Sequence, residues 1–580
     1  MSKNKILKEV IKIAEKKKIN GGDLLIKCLL QEDVKYMFGI PGGQFLNMYD
    51  AIYRWGREQG INTVLFRHEQ AAAHAADAYA RVTNKPGVCF GTVGPGALHL
   101  VPGIGAAWSD NIPVVAIVPQ VNSKYEDSFT LQGNLDQKTM FTPITKYQKT
   151  VRKIEEIPDS VQKVFREATG GRPRPVLLEI FEDAFLEEIE EDEPSVLPTD
   201  KYRASGKPAA DSVSIKKALD LLLSAEKPVI VSGGGVARAG AWNELTELAE
   251  YLQIPVITTI MGIGTMSTKS NCFLGSTIAG PTLQAANQAD VILALGCKFS
   301  YTLAYGDEPF WKDDQKMIQV DIDPTIIGRQ KPVTLGIVSD CKVFLNQLLE
   351  EVKKTSKVDK REWTDNLQTA AGRIKASMIK KAMKDKVPII PERLVKDVLE
   401  FIDEDAILIL DGGDIVAYAV EQINFYKPRA PLSTLQSIGM GHLGTSVGYG
   451  IGAKLAKPEK QLVSISGDGS FMINIQDLET AARLELKNMI FVVANNACWG
   501  MIKSGQKIAL GKRYIDVDIP DCDYAKMAQG FGCYGERVTE SSQIKPALER
   551  AKNSGKPAVI DVKIAFSTPA TTKLLLSMGM

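Results

Sequence analysis

One stretch, Gly467 to Asn496, constrains the fold more than any other part of the chain. The apolar run Leu462 to Ser466 leads into Gly467-Asp468-Gly469, a helix-like segment follows, and β character returns at Met489 to Ala494 before Asn495-Asn496. Strand, turn, helix and strand in that order make a βαβ unit, which brings Asp468 and the asparagine pair to neighbouring strand ends. Glycines let the backbone approach a phosphate closely, a helix N-terminus favours the anion, and Asp and Asn supply hard oxygen ligands for Mg²⁺. The stretch reads as a site for a metal-bound diphosphate, with Gly467, Asp468, Gly469, Ser470 and Asn496 as its candidate residues.

The same alternation recurs along the chain and predicts an α/β protein of three doubly wound parallel-sheet domains. An extension over residues 1–20 is basic and amphipathic, without the apolar core or cleavage site of a leader, and reads as an extra surface helix. The first domain spans 21–190, with β-rich runs such as Val114 to Val118 and Val176 to Ile180. An acidic, proline-containing linker from Glu187 to Pro208 leads to a middle domain over 208–350. Charged helical sequence from Val352 to Lys386 then leads to a third domain over 388–570, whose buried strands include Ile407 to Leu410. No period of 20 to 50 residues recurs, which excludes a solenoid.

The charge balance, 70 basic against 69 acidic residues, carries no nucleic-acid or membrane footprint, so the expected partner is a small-molecule substrate. No apolar run is long enough to span a bilayer. Eight scattered cysteines without a CxxC pair, with four histidines, argue against a disulfide framework or structural zinc and fit a cytoplasmic setting.

The spacing from Gly-Asp-Gly to Asn-Asn resembles the signature of thiamine diphosphate enzymes. That resemblance implies Mg²⁺ held by the side chains of Asp468 and Asn496 and by the backbone carbonyl of Cys498. A second constellation, Arg67-His68-Glu69 ahead of an alanine-rich segment, places Glu69 near a helix start, where the helix dipole alone favours a carboxylate. It also resembles the segment whose glutamate faces N1′ of the cofactor's aminopyrimidine and promotes loss of the C2 proton. Phe38 to Gly43, which includes Gly42, then Gly94-Pro95-Gly96 and Asp321 to Pro324 resemble the acetolactate synthase group. The resemblance implies pyrimidine-binding, middle and diphosphate-binding domains. It also implies active sites between subunits of a homodimer or homotetramer, with Glu69 of one chain acting on cofactor anchored by Asp468 of another.

Further residues follow from the same resemblance. Gly439 to Gly444 is similar to the turn whose bulky apolar residue wedges the cofactor rings together, with Leu443 the first choice and Met440 the second. Asp411-Gly412-Gly413-Asp414, directly after a strand, would help hold the diphosphate, and Gln132 would point its amide at a substrate oxygen.

Other stretches resemble the benzaldehyde lyase and 2-hydroxyacyl-CoA lyase branch. Among them are Gln132 to Gln137 and Trp499, which also reads as a packing aromatic. Cys297 to Tyr301 replaces the synthases' flavin-contacting stretch, and Met501 to Gln506 lacks their acceptor-selecting tryptophan. Ser232 to Val236 lacks the third glycine of a dinucleotide fingerprint, so the middle domain binds FAD or ADP or serves as scaffold. The basic segment containing Lys503, Lys507 and Arg513 reads as a lid facing an anionic substrate or as a solvated loop.

The resulting expectation is a carboligase and decarboxylase that converts a 2-oxo acid to an enamine and transfers the acyl unit to a carbonyl acceptor. The enzyme alternative is a lyase of a 2-hydroxy ketone or 2-hydroxyacyl-CoA. The alternative of another class is a non-catalytic nucleotide-binding protein that retains the fold, against which the joint presence of Glu69, Asp468 and Asn496 argues.

Overall fold

A computed structural model of the chain describes residues 17–132, 135–276, 280–355 and 360–577. The helix expected in the N-terminal extension falls largely outside them. The chain divides into two compact units, one ending at Ser205 and the other starting at Gly206.

The first unit contains a six-stranded parallel sheet in the order Asn62–Leu65, Tyr36–Gly39, Gly87–Phe90, Val114–Gln120, Val176–Phe181, Tyr147–Val151. Numbered in chain order, its strands lie 2-1-3-4-6-5. Central strands are buried runs, apolar apart from Glu179 and the terminal Gln120, as helices on both faces require. Most of the acidic stretch expected as a linker is tied down in this unit. Glu188–Glu190 pairs antiparallel with Lys18–Asn20, and Tyr202 and Arg203 both bond Glu32.

The second unit holds two further six-stranded parallel sheets. The middle domain's runs Phe273–Gly275, Val256–Thr258, Pro228–Ser232, Val291–Leu295, Lys316–Asp321, Leu335–Val338, which is 3-2-1-4-5-6 in chain order. The C-terminal one runs Thr434–Leu435, Ile407–Asp411, Leu462–Gly467, Met489–Asn495, Ala558–Lys563, Tyr534–Val538, repeating the 2-1-3-4-6-5 order of the first unit. The charged stretch before the C-terminal domain forms the 22-residue helix Arg361–Ala382, which buries Trp363 and Leu367 in a middle-domain core. Among the described residues no helix is long and apolar enough to cross a membrane.

In a doubly wound sheet the crevice opens beyond the strand ends where the order reverses. In the C-terminal sheet that point lies between Ile407–Asp411 and Leu462–Gly467, so Asp411 and Asp468 leave adjacent strands there. In the first unit it lies between Tyr36–Gly39 and Gly87–Phe90, just ahead of Gly42 and Gly94. Both reversals fall beside glycines that the sequence singled out.

Candidate active site

Asp468 follows the strand Leu462–Gly467 and starts the short helix Asp468–Met472. Its carboxylate is buried and accepts three backbone N–H groups: Gly469 at 2.9 Å on Oδ1, and Asn496 at 3.1 Å and Ala497 at 2.7 Å on Oδ2. Burial pushes its pKa up, against these bonds. A bound cation would reverse that balance.

The two asparagines after the next strand diverge. Asn495 is fully buried and turns inward, donating to Asp561 Oδ1 at 3.0 Å and to the Cys522 carbonyl at 3.1 Å. Asn496 lines the cavity with Asp468, and its Oδ1 accepts the Cys498 N–H at 3.2 Å. The pair thus splits into one packing residue and one open oxygen donor beside Asp468. Cys498 belongs to the same turn and pairs antiparallel with Asp518, through bonds from Trp499 N–H to the Val517 carbonyl and from Ile519 N–H to the Ala497 carbonyl.

A cavity of about 420 Å³ opens over these strand ends. Its lining includes Gly413, Asp414, Leu443, Gly467, Asp468, Gly469, Ser470, Asn496, Cys498 and Trp499. Leu443 faces it, whereas Met440 is 51% exposed and not in its wall, which separates the first choice for the apolar wedge from the second. Trp499 packs on Gly469, where an added Cβ would stand 2.9 Å from the ring, so the glycine is required by close approach.

Asp411, which the sequence groups with Gly413 and Asp414 at the diphosphate, ties this end of the sheet together through its side chain. Its buried carboxylate accepts from Gly444 N–H at 3.2 Å, from Ser446 N–H at 2.9 Å and from the Ser470 hydroxyl. Burial raises its pKa as well. The signal was present, an aspartate ending a strand before two glycines, but its long-range partners were not. Gly444 has φ +79°, the left-handed region that glycine favours, and an added Cβ would meet Ile473 at 2.7 Å.

Asp414 departs from expectation. It begins the helix Asp414–Gln422, but its carboxylate turns to hydroxyl groups, accepting from Ser504 at 2.9 Å and Thr572 at 3.1 Å. Burial pushes its carboxyl up to about 6. Among the described residues the N–H groups of Gly413 and Asp414 meet no protein acceptor, so backbone rather than carboxylate is what this turn offers an anion. The residues therefore fit a cation-bound diphosphate: oxygen donors on Asp468 and Asn496 beside unpaired N–H groups in a wall thinned by glycine.

The expected loop or lid after Trp499 is a helix, Gly500–Ala509, which buries Ser504 and leaves Met501, Ile502 and Ile508 exposed. Lys503 is not a free cation: it pairs with Asp518, and its Nζ lies 5.1 Å from the Phe566 ring centroid and 5.3 Å from that of Tyr514.

In the first unit, Glu69 starts the helix Glu69–Thr83, capped by His68, and is buried, with its Oε2 3.0 Å from His99 Nδ1. Gly42 caps the short turn Gly43–Phe45, packed on Thr92. Gly94, at φ +73°, caps the helix Pro95–Asp110, with Pro95 in its favoured first position. Buried Gln137 holds that turn, accepting the Gly94 N–H at 2.9 Å and donating to the Pro119 carbonyl at 3.0 Å. Gln132 is exposed in a left-handed conformation, φ +62°, with its backbone carbonyl against Gly94.

The middle domain's glycine turn is filled from within. Gly233 N–H donates to the Leu295 carbonyl at 2.9 Å and Gly235 N–H to that of Gly296 at 3.1 Å, and a Cβ on Gly235 would stand 2.6 Å from Gly296 Cα. These two N–H groups are committed to strand ends, and FAD or ADP binding gains no support from them.

Three family models cover the chain in order: thiamine pyrophosphate enzyme, N-terminal TPP binding domain over residues 19–140, central domain over 215–348, and C-terminal TPP binding domain over 411–562. The chain belongs to the thiamine pyrophosphate enzymes. It is 36% identical to the probable acetolactate synthase large subunit of Methanocaldococcus jannaschii, over 94% of this chain and 92% of that protein. It is 33% identical to the acetolactate synthase large subunit of Corynebacterium glutamicum, over 94% and 87%. To the acetolactate synthase isozyme 3 large subunit of Escherichia coli it is 31% identical, over 94% and 95%.

Proposed function

We propose that the protein is a thiamine diphosphate- and Mg²⁺-dependent carboligase of the acetolactate synthase type, which decarboxylates a 2-oxo acid and joins the acyl unit to a second carbonyl compound. The observation that carries this reading is similarity to acetolactate synthase large subunits through all three domains, 31–36% identity over 94% of the chain.

The geometry of the site supports specific roles. Asp468, Asn496 and the Cys498 carbonyl hold Mg²⁺, and the N–H groups of Gly413 and Asp414, with the Gly467 to Ser470 turn, receive the diphosphate. When bound, the cofactor would supply a nucleophilic carbon and an electron sink for decarboxylation of the 2-oxo acid. Leu443 wedges beneath the cofactor, Glu69 exchanges a proton at N1′ of the aminopyrimidine, and Gly42, Gly94 and Pro95 shape the turns around that ring. Trp499 and Gln132 border the substrate. Lys503, engaged with Asp518, acts on substrate only if that pair opens.

The relatives are large subunits by name, which supports an oligomer. We infer a homodimer or homotetramer in which Glu69 of one copy serves cofactor anchored on a second. The eight cysteines are free thiols, which supports a cytoplasmic setting.

The test is a product assay. Purified protein with Mg²⁺ and thiamine diphosphate is given pyruvate, or a 2-hydroxyacyl-CoA, and products are identified by mass. We expect CO₂ and a coupled hydroxy acid from pyruvate. Cleavage of the hydroxyacyl-CoA with no turnover of 2-oxo acids would replace this reading with the lyase one.

A further inference from the structure

Glu69 is 6% exposed, and among the described residues its carboxylate has one hydrogen-bond partner, His99. The Nδ1 of His99 lies 3.0 Å from Glu69 Oε2. The His99 ring stacks on that of His68, with centroids 4.5 Å apart and planes inclined by 27°. His99 rides on the glycine-capped helix Pro95–Asp110, which also presents Gly96 to the other carboxylate oxygen: an added Cβ there would stand 3.1 Å from Oε1. The two oxygens have different surroundings, one against an imidazole and the other against backbone without a side chain.

His68, Glu69 and His99 each place a possible ligand atom within 4.8 Å of the others, a spacing that suggests a cation site. The ring planes argue against it. An imidazole nitrogen binds a metal through a lone pair in its own plane, and two stacked, nearly parallel rings aim those lone pairs past each other.

The hydrogen bonds assign a different job. His68 Nδ1 accepts the Gln70 N–H at 3.1 Å, as the cap of the Glu69 helix. That bond needs an unprotonated Nδ1, so a capping His68 is neutral with its hydrogen on Nε2. Burial, followed by the neighbouring His99, lowers the pKa of His68, in keeping with the neutral form. His99 is then the ring that meets Glu69 with an N–H.

We propose that His99 is a positioning residue whose Nδ1–H donates to Glu69 Oε2, fixing the carboxyl rotamer so that Oε1 is the oxygen presented to the cofactor's aminopyrimidine. The inference rests on the role proposed above for Glu69. A base held by a third group is the general arrangement of acid–base pairs, because a carboxylate free to rotate spends little time in the reactive geometry.

The experiment uses the full-length protein loaded with thiamine diphosphate and Mg²⁺. His99→Leu removes the N–H while keeping bulk, and His99→Gln can return an amide N–H. We expect His99→Leu to slow exchange of the cofactor's C2 proton about 10- to 100-fold, the scale of a misplaced catalytic group, with cofactor affinity unchanged and His99→Gln recovering most of the rate. The chain has only four histidines, so selective ¹⁵N labelling yields few signals. His99 should carry its hydrogen on Nδ1 in the wild type and shift toward the Nε2 form in Glu69→Ala. Wild-type exchange in His99→Leu, or an Nε2–H tautomer of His99 in the wild type, overturns the proposal. A control separates the two readings: wild-type exchange in Glu69→Gln removes the role of Glu69 itself, whereas slow exchange there with full speed in His99→Leu removes only that of His99.

Discussion

At the scale of single residues, the metal site is best probed at Asn496. The Asp468 carboxylate serves three backbone N–H groups, so Asp468→Ala strips the proposed cation of a ligand and also leaves buried donors unpaired, at about 1–3 kcal/mol each. Among the described residues the Asn496 side chain accepts within its own turn, from Cys498. Asn496→Ala should weaken thiamine diphosphate binding in Mg²⁺ by at least about 100-fold, the upper end of what losing an outer partner costs a metal site, with little change in thermal unfolding. Asp468→Ala should lose both. Calorimetry and melting curves on the two variants check this, and unchanged cofactor binding in Asn496→Ala would remove it from the metal site.

At the scale of elements, the helix Asp414–Gln422 is joined to the C-terminal helix Ala570–Ser577 and the chain before it by side chains rather than by apolar packing alone. Thr572 donates to Asp414, Thr571 donates to Glu421 through both its N–H and its hydroxyl, and Tyr418 bonds Ser567 at 2.7 Å. Burial holds the Asp414 carboxyl at about 6 against its ordinary 3.8. An acid with a raised folded-state pKa binds more protons folded than unfolded between those values, so its contribution is greatest at acid pH and is lost as pH climbs from about 4 through 6. The swing is about 3 kcal/mol for a shift of this size. Asp414→Asn lacks it, so in the cofactor-free protein the wild type should lose stability relative to Asp414→Asn across that window. Urea unfolding at pH 4 and pH 7 measures the gap, and parallel curves would show that Asp414 is ionised without penalty.

At the scale of the whole molecule, the domain carrying Glu69 and the domain carrying Asp468 repeat one strand order, 2-1-3-4-6-5, with a crevice at the same reversal point in each. If each site draws on two chains, Glu69→Gln and Asn496→Ala proteins should complement each other. A randomly mixed dimer population restores one intact site in half of its dimers, so activity should rise to about a quarter of wild type when two inactive variants are unfolded and refolded together. No recovery on mixing would place Glu69 and Asn496 of one site in the same chain.

Much of this was legible without coordinates. Apolar runs bounded by glycine specify strands through local burial and turn chemistry, and the Gly467 to Asn496 spacing needs only one βαβ unit to bring its ends together, so the three sheets and the Asp468–Asn496 pairing followed from short-range signals. Side-chain direction did not. Which asparagine turns inward depends on Asp561 and Cys522, both remote in sequence. The position of Asp411 between Gly444, Ser446 and Ser470, the diversion of Asp414 to Ser504 and Thr572, and the contact of His99 with Glu69 join residues 30 to 158 positions apart. A residue type and its local pattern state what chemistry a side chain can perform. Packing of distant segments decides which partner satisfies it, because a buried polar group takes whatever donor or acceptor the fold brings within about 3 Å.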